Sequence, residues 1–172
     1  MKPITNIKTL IVVSLLLIVS CQDQKTYQSA DEIIAEMKVG MQTISVQDLK
    51  LKMDDGESYF FLIDVREPNE HNFGFIPTSF NIPGGVILFN ISNEKFWEDQ
   101  MMYSPELSDE IIVYCKKGKR SILAVNYLEQ LGFQNVKYIE GGWKNWELNF
   151  PLLYEKNLDL QSHEEVADEG GC

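Results

Sequence analysis

Residues 59–65 (YFFLIDV) form a near-continuous apolar run, the pattern of a β-strand covered on both faces. Residues 111–114 repeat it, and 136–139, 42–44 and 79–82 complete five predicted strands. Between these runs the apolar spacing becomes helical. Over 121–131 it sets Ala124, Val125, Leu128 and Leu131 on one face, and Gly132 stops the helix. Ser29 with Glu32, and Ser45 with Asp48, are cap signals. They predict a short helix through Ile33, Ile34 and Met37 that ends near Gly40, and a second helix reaching about Met53. The turn Asp54-Asp55-Gly56 follows it. A helical turn after Pro68, a helix over 93–101 anchored by Phe96 and Trp97, and a last helix over 142–148 complete the pattern.

Strands alternating with helices imply an α/β fold: a five-stranded, mainly parallel sheet flanked by helices. In such sheets ligands sit beyond the carboxyl ends of the strands. Cys115 is the first residue past one of those ends, and Asp64 to Arg66 occupy another. The remainder divides into 1–20 as a signal peptide, 21–41 as a tether with a short helix, 42–150 as the domain, and 151–172 as an acidic, loosely ordered tail. The leader carries Lys2 and Lys8, then an apolar run too short for a comfortable membrane span, then Ile18-Val19-Ser20-Cys21. That arrangement resembles a bacterial lipobox. It implies lipidation of Cys21 and an exported chain anchored to a membrane on the periplasmic or surface face. An uncleaved anchor, or an ordinary signal with a chance Cys, is the other reading.

Composition narrows the chemistry. A hydrophobic content of 44 % with nine Phe supports a real core, and a formal charge of −11 argues against nucleic-acid partners. Lys2 and Lys8 are two of the 15 basic residues, so the chain from Cys21 on has 13 against 26 acids, or −13. In an acidic protein any anion site must be built locally. The segment Cys115-Lys116-Lys117-Gly118-Lys119-Arg120-Ser121 does so. A loop from strand to helix turns backbone N–H groups inward, and Gly118 permits the positive φ such a curl needs. With four cations in five residues, the setting favours a thiolate nucleophile. Neither His71 nor His163 is close in sequence, so activation falls to the loop. The alternative for Cys115 is a buried structural cysteine at a strand end, which leaves the cations unexplained.

In this order, Ile63-Asp64-Val65-Arg66-Glu67-Pro68-Asn69-Glu70, Gly74-Phe75-Ile76-Pro77, Asn81-Ile82-Pro83, the Cys115 loop and Glu140-Gly141-Gly142-Trp143-Lys144-Asn145-Trp146 resemble the rhodanese family, over about 42–150. The resemblance implies a sulfurtransferase that moves sulfane sulfur from thiosulfate or a similar anionic donor to a thiol or cyanide acceptor, through a persulfide on Cys115. It implies that the N–H groups of 116–121 cradle the sulfur and that Lys116, Lys119 and Arg120 attract the donor. Lys117, Gly118 and Ser121 complete the expected substrate site, with no cofactor and no metal. A non-catalytic persulfide carrier or partner-binding module of the same fold is the alternative. Related cysteine phosphatases place five residues between Cys and Arg; here four separate Cys115 from Arg120, a tighter cradle.

Several residues need separate expectations. Phe75 stands where the family usually has His, which argues against a histidine role there. His71 is expected to pack. Asp64 and Arg66 are expected to form a structural ion pair, as possible second-layer residues behind the substrate. Trp143 and Trp146 should pack the last helix on the sheet, with Gly141-Gly142 allowing close approach. Cys172 could accept sulfur from Cys115, form a protective disulfide with it, bind a soft metal, or simply end a solvated tail.

Overall fold

The computed structural model describes residues 25–157. The leader with Cys21, His163 and Cys172 lie outside them. Five strands, β1 (Gln42–Ile44), β2 (Phe61–Asp64), β3 (Phe80–Asn81), β4 (Glu110–Tyr114) and β5 (Asn135–Ile139), form one sheet in the order β1-β5-β4-β2-β3. Every pairing is parallel. The helices are α1 (Ala30–Met37), α2 (Val46–Asp55), α3 (Pro68–Asn72), α4 (Ile87–Asn90), α5 (Glu94–Asp99), α6 (Lys119–Gln130) and α7 (Gly142–Asn149). Among the described residues, no helix is long and apolar enough to cross a membrane.

β4 lies between β5 and β2, and the period-2 alternation of its side chains feeds two separate cores. Ile111, Val113 and Cys115 face one cluster with Ile63, Trp97, Val125 and Leu128. Ile112 and Tyr114 face the other, with Leu62, Ile76, Ile139 and Trp146. Ile111, Ile112 and Val113 are wholly buried. Each such side chain contributes about 1.5–3 kcal/mol relative to exposure, so the strand that carries Cys115 is fixed from both sides.

Both predicted caps form. Ser29 Oγ accepts from the Glu32 N–H at 3.3 Å, and Ser45 Oγ accepts from the Asp48 N–H at 3.0 Å. Three differences from the sequence expectation have local causes. α6 begins at Lys119 rather than Ser121, because Gly118 at φ +98° serves as its N-cap. Leu131 is 43 % exposed instead of lying on the buried face. The helix has already ended there: Phe133 N–H reaches Leu128 O and Gly132 N–H reaches Glu129 O, so Phe133 takes the buried place. α4 was not expected, since one turn is too short to show a period. The start of the tail is also held. Phe75 and Glu155 exchange two backbone hydrogen bonds of 3.0 Å, and Asn157 N–H donates to Asn72 O at 3.1 Å.

Candidate active site

Cys115 directly follows β4 and is 1 % exposed. The loop after it is braced from outside by the first turn of α7. Trp143 N–H donates to Cys115 O at 2.8 Å and Lys144 N–H to Lys116 O at 3.1 Å. Gly142 makes that approach possible, for a Cβ there would stand 2.2 Å from Cys115 O. The close approach was expected of the Gly141-Gly142 pair; its target, the cysteine carbonyl, was not. Inside the loop, Gly118 N–H points at Cys115 Sγ, 3.2 Å away. Gly118 O receives the Ile122 N–H at 3.1 Å and the Ser121 hydroxyl at 2.7 Å. The Ser121 hydroxyl thus bonds within the loop, from a buried position.

The four cations do not act together. Lys116 and Lys117 are exposed. Lys119 Nζ donates to Asp31 of α1 at 2.5 Å. Arg120 Nη1 and Nη2 donate to Glu70 Oε2 and Oε1 of α3 at 2.5 and 2.9 Å. The hydrogen bond to Glu70, with the negative charge it brings, raises the Arg120 pKa. Arg120 in turn holds the Glu70 carboxyl below its ordinary value. Beside Arg120 lies a cavity of about 310 Å³, lined by Val65, Glu67, Gly84, Gly85, Leu123, Ala124 and Tyr127 as well. Asp31 and Glu70 were not singled out in the sequence, because their partners lie 88 and 50 residues away.

The end of β2 is built differently. Asp64 is fully buried and Arg66 2 % exposed. Arg66 Nη2 donates to Asp64 Oδ2 at 2.6 Å and to Gly74 O at 2.7 Å, and Nε lies 3.0 Å from both carboxylate oxygens. His71 Nδ1 is 2.8 Å from Asp64 Oδ2, and its ring stacks on Phe75 at 4.1 Å. The guanidinium lies over Trp143 and Tyr114, 4.8 and 5.5 Å from their centroids. Burial pushes the Asp64 carboxyl up, but hydrogen bonds from His71 and Arg66 outweigh it and leave its pKa lowered. The expected structural pair of Asp64 and Arg66 is therefore present. His71 packs as expected and also bonds the carboxylate, so it belongs to this group and not to Cys115.

The Rhodanese-like domain model matches residues 45–149. A Schizosaccharomyces pombe protein assigned as a candidate mitochondrial thiosulfate sulfurtransferase is 38 % identical over 97 residues, 55 % of this chain and 68 % of its own length. The human thiosulfate:glutathione sulfurtransferase is 30 % identical over 111 residues, 62 % of this chain and 94 % of its own. A human single-domain sulfurtransferase structure superposes with a TM-score of 0.56 at 28 % identity, covering 62 % of this chain and 96 % of that one. With a TM-score of 0.60 at 26 % identity, a Rhodopseudomonas palustris protein described as a possible tyrosine phosphatase covers 75 % of this chain and 96 % of its own. With more than half of its residues matched by that model, the chain belongs to the rhodanese-like domain family.

Proposed function

We propose that the protein transfers sulfane sulfur from thiosulfate or a similar donor to a thiol or cyanide acceptor through a persulfide on Cys115. The observation that carries this reading is the Gly118 N–H aimed at Cys115 Sγ from 3.2 Å, in a loop braced by α7. The names of the family relatives support the donor and acceptor classes. The Cys115 thiolate attacks the outer sulfur of thiosulfate. Its electron pair makes the new S–S bond, while the old S–S bond breaks with its pair leaving on sulfite. An acceptor thiolate or cyanide then attacks the terminal persulfide sulfur, and the bonding pair returns to Cys115. No outside oxidant or reductant is needed. The loop N–H groups hold the anionic sulfur, and Arg120 and the exposed lysines draw in the donor.

Sulfite release from thiosulfate should vanish in Cys115→Ser; full turnover in that variant would sink the mechanism. Peptide mass after thiosulfate treatment separates the alternatives. One added sulfur on Cys115 with rapid turnover supports the enzyme. A stable adduct without turnover supports a persulfide carrier, and no adduct supports a partner-binding module. The same reading has the chain exported and held at a membrane by lipid on Cys21. An unmodified chain starting at Met1 would overturn that part.

A further inference from the structure

Arg120 stands two residues after Gly118, whose N–H meets the Cys115 sulfur, and its guanidinium is forked on Glu70. Two roughly parallel N–H···O bonds to Glu70, 2.5 and 2.9 Å, fix the plane of the guanidinium as well as its place. Glu70 is itself held: Oε2 also accepts the Glu67 N–H at 3.4 Å, and the Glu70 N–H bonds Asn69 Oδ1 at 2.8 Å. The next residue, His71, is tied to Asp64 and stacked on Phe75. Buried groups at the end of β2 thus place α3, and α3 presents the carboxylate. The fork uses two of the five guanidinium N–H groups, so three are not spent on Glu70. Arg120 is the second residue of α6, in the turn that follows the Cys115 loop, and its side chain is 38 % exposed. The fork is the ion pair that holds this half-exposed side chain.

We propose that Glu70 is a positioning residue that holds the Arg120 guanidinium at the Cys115 loop and so sets how well the site takes an anionic donor. For the donor, this rests on the sulfur-transfer reading; the holding itself does not. Two consequences of Glu70 oppose each other. Its negative charge weakens the positive field at the loop, whereas its fork keeps the guanidinium in place. If holding dominates, removing the charge makes the site a poorer anion trap although it becomes more positive.

The test uses the full chain with Glu70→Gln, alone and on an Arg120→Met background. Alkylation of Cys115 is followed by peptide mass with iodoacetate and iodoacetamide, reagents of similar size that differ in charge. Their rate ratio cancels a general loosening of the loop and requires no sulfur transfer. In Glu70→Gln the iodoacetate-to-iodoacetamide ratio should fall at least about threefold, the lower end of what one net hydrogen bond contributes. The thiosulfate KM should rise by a similar factor with a smaller change in kcat. On the Arg120→Met background Glu70→Gln should add nothing. A ratio that rises or stays level, or an equal fall without Arg120, overturns the proposal. If the ratio falls while wild-type protein takes no sulfur from thiosulfate, the sulfur-transfer reading fails and the role of Glu70 stands.

Discussion

Asp64 ends β2 and Cys115 follows β4, and these strands pair side by side with Asp64 opposite Tyr114. At the β2 end charge is spent inward. Asp64 pairs with both Arg66 and His71, and a further Arg66 N–H goes to Gly74 O. At the β4 end the sulfur is held by backbone, while the charged side chains reach outward to Asp31 and Glu70. The difference separates two ways of using ions in a parallel sheet. Buried charges at β2 must be fully paired and act as a rigid support. Half-exposed charges at β4 can exchange partners, as the proposed anionic donor would require.

Asp64→Asn breaks that comparison at its strongest point. The amide keeps the shape but leaves Arg66 buried without a counter-charge, a change that typically costs about 3–5 kcal/mol. Denaturant unfolding should show a loss of that size. The pH dependence carries the same signature. Because the folded Asp64 carboxyl has a lowered pKa, its contribution is fully present above the ordinary carboxylate range and is lost as pH falls through the folded value. Glu70, and Glu110 between Lys52 and Lys137, act in the same direction. Wild-type stability should therefore fall on acidification below the ordinary carboxylate range, and the fall should be shallower in Asp64→Asn. An equal slope in both proteins would remove Asp64 from the account.

Gly142→Ala probes the β4 side, where backbone does the holding. The added Cβ meets Cys115 O at 2.2 Å and Gly118 N at 3.2 Å, and the residue sits at φ +59°. Overpacking of this kind costs about 1–3 kcal/mol. Because the obstacle is the Cys115 carbonyl, the proposed mechanism has sulfite release fall by more than the unfolding midpoint implies. Gly85→Ala, with open space around its Cβ, should leave stability unchanged. Full activity in Gly142→Ala would mean that the α7 brace does not set the sulfur geometry.

The parts of this arrangement that could be read in the sequence are the local ones. A double-faced apolar strand, a cysteine at its end and cations beyond it are neighbours in the chain, so the sheet and the loop follow from residues 111–121. What those cations bond is decided by helices that arrive from elsewhere, and one sequence does not show that Arg120 meets Glu70 or that Lys119 meets Asp31. Leu131 failed for a different reason. A periodic face continues on paper past the residue where a Schellman turn has already redirected the chain to Phe133. Ser121 illustrates a third case: its type suits an anion cradle, and only the folded loop shows that its hydroxyl also reaches Gly118 O.

Asp31→Asn gives the smallest effect and the cleanest contrast with Asp64. Both carboxylates pair with a cation, but Asp31 and Lys119 are 70 % and 63 % exposed. Exposed pairs contribute below about 1 kcal/mol and are screened by salt. α1 should stay docked through Ile34 and Met37, which pack against the main cluster. Stability should therefore hold within about 0.5 kcal/mol, the usual range for a surface change. The freed Lys119 should lower the thiosulfate KM by no more than about fivefold at low salt. The difference should fade as ionic strength approaches about 1 M, where the screening length is only about 3 Å. A loss of several kcal/mol would instead make this pair the clasp of α1, and the division between inward and outward charge would no longer follow burial.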